Sequence, residues 1–303
     1  MFHGTIPSGM QKIVKEISDT WDCEEIYVGC SGNFTIERIL DGDKFRIHSN
    51  DVTVYSYTLG RYFTKAPIEV SLRDEYKNTE LGFFSDYMND EADKVATVML
   101  CTKILDGVGK DDNLYYKRMN EANRDQWAAM HRQTKTKHEG NDFQVASYYN
   151  GDVIDWIQTL DKSQAFISFP PFYAGDYKNM FAKIEEVFEW DEPEYEELTD
   201  ERKQLLIDEI QTFKHWLVGF NFRVPELKDK MVGITKTTNR GVPIYLYGTS
   251  DIKRLIMPNQ KTQRVNIERL GMDEDIGENI DIIRLNNEEF QTLRSVYMNR
   301  YIN

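Results

Sequence analysis

The sequence predicts an α/β fold, and three observations predict it. Short apolar runs such as Glu25–Gly29 (EIYVG) and Gln164–Phe169 (QAFISF) alternate with amphipathic stretches of helical spacing. Turn-forming residues follow several of those runs, as in Gly29-Cys30-Ser31-Gly32, Asn50-Asp51 and Asn150-Gly151-Asp152. The 303 residues are 40% hydrophobic and 13% aromatic, which is enough to bury a core without disulfide staples.

The elements follow in order. Met10 to Trp21 reads as a helix, with Ile13, Val14 and Ile17 on one face and Ser8 as its cap. Glu25–Gly29 is a strand, Asn33 to Leu40 a helix, and Lys44 to Ser49 a strand in which Phe45 and Ile47 alternate with polar neighbours. Val52 to Phe63 reads as helical, so the first 63 residues form a β-loop-α-β-α unit of Rossmann type. Residues 65–140 break that rhythm. Ala92 to Leu105 is apolar at helical spacing and Leu114 to Gln133 is rich in aromatic and charged residues, so this region is expected to be a helical insertion. The alternation resumes with a strand at Phe143–Tyr149, a helix at Val153–Leu160, a strand at Gln164–Phe169 and a helix at Tyr177–Phe188. A helix at Asp200–Phe213 and a strand at Trp216–Phe220 come next, then a hairpin of Met231–Thr235 and Pro243–Tyr247 around Thr237 to Gly241. A strand at Ile280–Ile283 and a helix at Glu288–Tyr301 close the chain. The expected organisation is a core of residues 1–64 and 141–250, an insertion at 65–140 and a C-terminal extension at 251–303.

Charge constrains the function. Lys+Arg is 37 and Asp+Glu is 51, so the net charge is −14. That balance excludes a protein that coats DNA over its whole surface, because phosphate neutralisation needs clustered cations. A nucleic-acid enzyme would need a local basic cleft. The basic region that offers one holds Lys117, Arg118, Arg124, Arg132, Lys135 and Lys137, all in the insertion. It serves equally as a solvated helix face. The acidic tract Glu185 to Glu201 contains no Lys or Arg. It follows a helix that runs away from the ligand edge of an α/β sheet, so it is expected at the opposite edge, as a solvated loop or a protein-binding surface. No apolar run reaches the roughly 18 residues of a membrane helix, and Met1 to Trp21 lacks a signal-peptide layout. The Cys count, 3, argues against a disulfide framework and for a reducing cytoplasm. His3, His48, His131, His138 and His215 show no metal-ligand spacing with a Cys, so no metal site is expected.

Four motifs carry chemistry. Tyr27-Val28-Gly29-Cys30-Ser31-Gly32-Asn33-Phe34 ends one strand and opens a helix, where glycines allow close backbone approach to a ligand. It also fits a plain strand-to-helix turn. Asp51 follows the second strand, about 20 residues past the glycine loop, where nucleotide-binding sheets place a carboxylate for ribose hydroxyls. Asp152 is placed to accept from an adenine amino group. Either acid could instead cap the helix that follows it. In Ser168-Phe169-Pro170-Pro171-Phe172-Tyr173, two prolines fix a rigid extended backbone at a strand end.

Together these segments resemble the amino-methyltransferases of DNA. They are similar in particular to a phage-encoded group of antirestriction adenine methyltransferases. The residues that carry the likeness are YVGCSGNFTIERIL (27–40), SNDVTVYSYTLGRYF (49–63), YYNGDVIDWI (148–157) and FISFPPFYAGDY (166–177), and it spans residues 24–64 and 143–250. The resemblance implies a Rossmann-like S-adenosylmethionine methyltransferase core. It implies cofactor binding by Gly29, Ser31, Gly32, Asp51 and Asp152, and a catalytic quartet of Phe169, Pro170, Pro171 and Phe172. A flipped target adenine would stack on Phe172. The quartet departs from the family at its first place, where Phe169 stands for a polar residue that accepts a hydrogen bond from the target amine. Strand alternation points the neighbouring Ser168 to the other side. Two functions follow from the resemblance. One is a methyltransferase that shields phage DNA from host restriction. The other is a fold without chemistry that binds and inhibits a host defence nuclease complex. Both place the protein in the cytoplasm of an infected bacterium, partnered by DNA or by that complex, with homo-oligomerisation open. A cellular small-molecule or RNA enzyme on the same fold is a third alternative.

Overall fold

The computed structural model describes residues 6–40, 42–110, 112–171, 176–236, 243–254 and 290, with only the backbone described at 176–180. The chain divides into two compact units, Met1–Ile256 and Met257–Asn303. The expected hairpin turn at 237–241 and the strand at 280–283 lie outside the described residues. So does the final helix, save Phe290, which is helical.

The strands are β1 Glu25–Gly29, β2 Arg46–Asp51, β3 Val70–Leu72, β4 Ser147–Asn150, β5 Ala165–Ser168, β6 Phe188–Trp190, β7 His215–Phe220, β8 Met231–Lys236 and β9 Pro243–Gly248. The helices are α1 Ser8–Ser18, α2 Val54–Phe63, α3 Asp74–Lys77, α4 Glu91–Leu100, α5 Thr102–Leu105, α6 Leu114–Asp125, α7 Trp127–Glu139, α8 Val153–Gln158, α9 Asp176–Val187 and α10 Asp200–Ile210. A seven-stranded sheet runs in the order β4-β2-β1-β5-β7-β9-β8. All its pairs are parallel except those of β9, which runs against both β7 and β8. This is the Rossmann-like, mostly parallel α/β sheet that the sequence predicts. The strand order reverses between β1 and β5, and in open α/β sheets the ligand crevice opens at that switch point, beyond the carboxyl ends of the strands.

Alternation along each strand feeds two cores. Ile26 and Val28 of β1, Ala165 and Ile167 of β5 and Leu217 of β7 face one core, with residues of α1, α2, α4, α5 and α9. Tyr27, Phe166, Trp216, Val218 and Phe220 face the other, with α8 and α10. A strand buried on both faces reads as a continuous apolar run, as β5 does. The insertion packs into the first core through Phe84, Val95, Val98, Ile104 and Trp127. It also carries a strand the sequence did not announce, because β3 pairs antiparallel with β6 in a separate two-stranded sheet. Among the described residues no helix is long and apolar enough to cross a membrane.

One expected helix is absent. Residues 33–40 form turns and a single 3-10 segment, Glu37–Ile39. Cys30, Gly32 and Phe34 all have positive φ, at 59°, 56° and 60°. An α-helix cannot begin through such a residue. The turn at Phe34 drives its ring into the core against Phe63 and Tyr148, where it is fully buried.

Candidate active site

The glycine loop, Asp51, Asp152 and the Pro-Pro motif converge on the carboxyl ends of β1, β2, β4 and β5. Gly29 pairs with Asn50 across to β2 and with Ser168 across to β5. Asp51 pairs with Asn150 at the end of β4.

Asp51 ties the glycine loop to the start of α2. Its Oδ2 accepts the Gly32 N–H at 2.8 Å. Its Oδ1 accepts from Val52 N–H, Thr53 N–H and the Thr53 hydroxyl at 2.8, 3.2 and 3.3 Å. The cap of α2 is Thr53, which accepts from Ser56 N–H, so Asp51 is not a helix cap. Ser31 is buried; its N–H donates to the Asn50 carbonyl at 2.9 Å and its hydroxyl to the Val28 carbonyl at 3.2 Å. The loop N–H groups of Ser31 and Gly32 are therefore spent on the protein, and the α-helix expected after the loop is absent. Gly29 also has a packing duty: a Cβ there would stand 2.8 Å from Phe166 and 2.9 Å from Val153. Burial, then the charge of Asp51, holds the Cys30 thiol protonated.

Asn50 fixes the loop after β4. Its Nδ2 donates to the carbonyls of Tyr149 and Gly151 at 3.2 and 2.6 Å. Its Oδ1 is a buried oxygen with no hydrogen-bond partner among the described residues. Asp152 caps α8, accepting Ile154 N–H on Oδ1 at 2.8 Å. Its Oδ2 takes Arg202 Nη2 at 2.5 Å and the Glu196 N–H at 3.2 Å. Sequence reasoning missed Asn50, Arg202 and Glu196. Of these, only Asn50 carried a signal, since it adjoins Asp51 in the strand-end motif.

These contacts correct the expected position of the acidic tract. Asn150 Nδ2 donates to the Asp191 carbonyl at 2.6 Å, and Glu196 reaches Asp152. The segment after β6 thus crosses the ligand edge and does not lie at the opposite one. The reason is β6, which pairs with β3 and turns the chain back.

Around the quartet, the Phe169 ring packs onto β7, where a Cβ on Gly219 would stand 2.1 Å from it. Pro170 is buried and Pro171 half-buried, while Phe172 lies outside the described residues. Ser168 is fully buried and donates its hydroxyl to the Gly29 carbonyl at 3.0 Å. Strand alternation therefore holds for Ser168, as expected.

The basic residues divide. Arg124 is spent on the Glu80 carbonyl and carboxylate, both at 2.8 Å, and lies over the Phe83 ring. Lys135 bridges Asp90 and Asp93 at 2.5 and 2.8 Å. Lys117, Arg118, Arg132 and Lys137 are exposed on α6 and α7. Outside that region, Arg254 pairs with Glu16. Among the described residues no group of His, Cys, Asp and Glu is arranged to hold a metal ion.

A family model described as Phage DNA Adenine Methylase-like domain 1 matches residues 2–270. No curated protein matches the chain.

Proposed function

The chain belongs to the phage DNA adenine methylase-like family, and from that premise we propose that it binds S-adenosylmethionine at the β1–β2–β4 edge and methylates adenine in phage DNA against host restriction. The observation that carries this reading is the pair of carboxylates, Asp51 and Asp152, at the carboxyl ends of β2 and β4, on one side of the glycine loop that follows β1. Their chemistry fits the cofactor, whose ribose hydroxyls and adenine amine are donors. The unpartnered Asn50 Oδ1 adds a buried acceptor at the same edge. The fit is to acceptors, since the loop's N–H groups at Ser31 and Gly32 are already used.

S-adenosylmethionine supplies an electrophilic methyl group when bound. The chain's own part is to hold and orient. Asp51 accepts from the ribose or the amino-acid end, and Asp152 from the adenine. Pro170 and Pro171 present a rigid strand end whose carbonyls receive the target amine. Phe172 stacks on the flipped base. DNA approaches over Lys117, Arg118, Arg132 and Lys137, since the acidic segment at the ligand edge repels phosphate.

A second reading is favoured by one observation. Neither Phe169, which rests on Gly219, nor Ser168, whose hydroxyl is spent on the Gly29 carbonyl, offers the target amine an acceptor. Without an acceptor to orient the amine, a methylase-like fold can still bind and inhibit a host nuclease complex. Calorimetry with S-adenosylmethionine, followed by methyl transfer from labelled cofactor to unmodified DNA, decides between them. Saturable binding with transfer that Phe172→Ala abolishes supports the enzyme. Absence of both, with co-purification of a host nuclease from infected cells, supports the inhibitor.

A further inference from the structure

Residues 191–199 join β6 to α10 with neither helix nor strand, and they cross the end of β4. Three polar contacts close a ring there. Arg202 Nη2 meets Asp152 Oδ2 at 2.5 Å, Arg202 Nη1 meets Glu196 Oε2 at 2.8 Å, and the Glu196 N–H donates to the same Asp152 oxygen at 3.2 Å. Asp191 adds a second anchor through its carbonyl on Asn150 Nδ2. Tyr195 of the segment is half-buried, and burial, then the acids around it, raises its pKa. The segment is therefore fastened on the same carboxylate that the cofactor's adenine would use.

A carboxylate oxygen accepts about two hydrogen bonds. Asp152 Oδ2 already has two donors, one of them a backbone N–H of the segment, so it is Oδ2 that is full, while Oδ1 accepts one bond from the α8 cap. An incoming purine amine competes with the Glu196 N–H for one acceptor site. It must also pass a chain carrying Asp191, Glu192, Glu194, Glu196 and Glu197. We propose that residues 191–199 form an autoinhibitory strap, clasped by Arg202 and Glu196 on Asp152, which must release before a purine is held there. The proposal rests on Asp152 being the adenine partner under the proposed function. The closed clasp lowers apparent cofactor affinity by the fraction of molecules that are open.

Glu196→Ala is the discriminating variant. The Glu196 carboxylate is 76% exposed, so its removal weakens the clasp while Arg202 still neutralises the buried Asp152. Full-length wild type and variant are titrated with S-adenosylmethionine by calorimetry, and amide exchange across 192–198 is followed with and without it. The expected results are binding about two- to five-fold tighter in the variant, the range set by an exposed ion pair, and faster exchange of those amides in wild type on adding cofactor. Equal or weaker binding in the variant, or slower exchange on adding cofactor, would make the segment a wall of the occupied site and overturn the strap. If wild type and variant both fail to bind, the cofactor reading itself falls, and the strap with it.

Discussion

The Phe169 ring occupies the space that a side chain at Gly219 would need. A Cβ on Gly219 would come within 2.1 Å of Phe169 Cε1 and 2.3 Å of Cδ1. The two positions are adapted to each other across the β5–β7 boundary. Gly219→Ala should therefore overpack this site and cost about 1–3 kcal/mol. In a chemical-denaturation double-mutant cycle, Phe169→Ala should relieve most of that cost. Additive effects would show that the ring does not rest there.

Phe169→Asn returns a hydrogen-bond acceptor to the first place of the quartet. Under the proposed function the expected outcome is a gain in methyl transfer on the order of ten-fold or more, the scale of one orienting group. The assay is label incorporation into unmodified duplex DNA at matched protein concentration. A variant that remains folded and inert while the wild type is active would assign orientation to the backbone around Pro170 and Pro171.

Asp51 joins the glycine loop to α2 through four hydrogen bonds. Asp51→Ala strands the buried Thr53 N–H and the half-buried Gly32 N–H, and should cost about 2–4 kcal/mol of stability, at about 1–3 kcal/mol for the buried group and less for the other. Asp51→Asn is the milder test, because it keeps one acceptor oxygen. It should retain most of the stability yet weaken cofactor binding, so calorimetry separates the structural duty from the binding one.

Much of the core was legible because strand period and burial agree. Ile26 and Val28 face one core and Tyr27 the other, as a two-sided strand requires. Gly29, Asp51 and Asp152 could be placed at one edge because each stands at or just past the end of a strand. The strap was not legible. Expecting the acidic tract at the far edge followed α9 to its end, but β6 then pairs with β3 over a long sequence separation. Those strands are too short to give a periodic signal. The missing helix at 33–40 has a similar cause, since nothing in a Phe announces a left-handed backbone. The exposed and spent cations of the insertion look alike in sequence, because pairing of Arg124 with Glu80 depends on tertiary structure.

Two buried groups should give opposite pH slopes. Glu37 is fully buried, with the side chains of Ser31 and Ser49 beside its carboxylate. Burial pushes its pKa from 4.5 up to about 7. The folded state then holds a proton that the unfolded state has lost, so this group makes stability fall as pH rises from about 4.5 to 7, by roughly 3 kcal/mol. His138 is the reverse. Burial lowers its pKa from 6.5 to about 4, so stability is lost as pH falls through that window. Urea denaturation at several pH values should show Glu37→Gln gaining stability at pH 8 and His138→Gln losing the decline between pH 6.5 and 4. An unchanged profile in Glu37→Gln would mean that its carboxyl is not held neutral.

The insertion provides the last test, because only part of its charge is free to meet a phosphate. Lys135 and Arg124 hold α7 and α6 against neighbouring acids and the Glu80 backbone. Their replacement by Ala should lower the melting temperature and leave the salt dependence of DNA binding nearly unchanged. Lys117, Arg118, Arg132 and Lys137 are exposed, beside the exposed Leu114 and Tyr115 at the start of α6. Charge reversal at Lys117 and Arg118 should leave stability intact and weaken duplex binding. The slope of log affinity against log salt should then fall by about 1 for each phosphate that is no longer neutralised. Fluorescence anisotropy across a salt series measures both quantities. If the slope is insensitive to all four exposed cations, DNA does not approach over the insertion, and the net charge of −14 then favours a protein partner over nucleic acid.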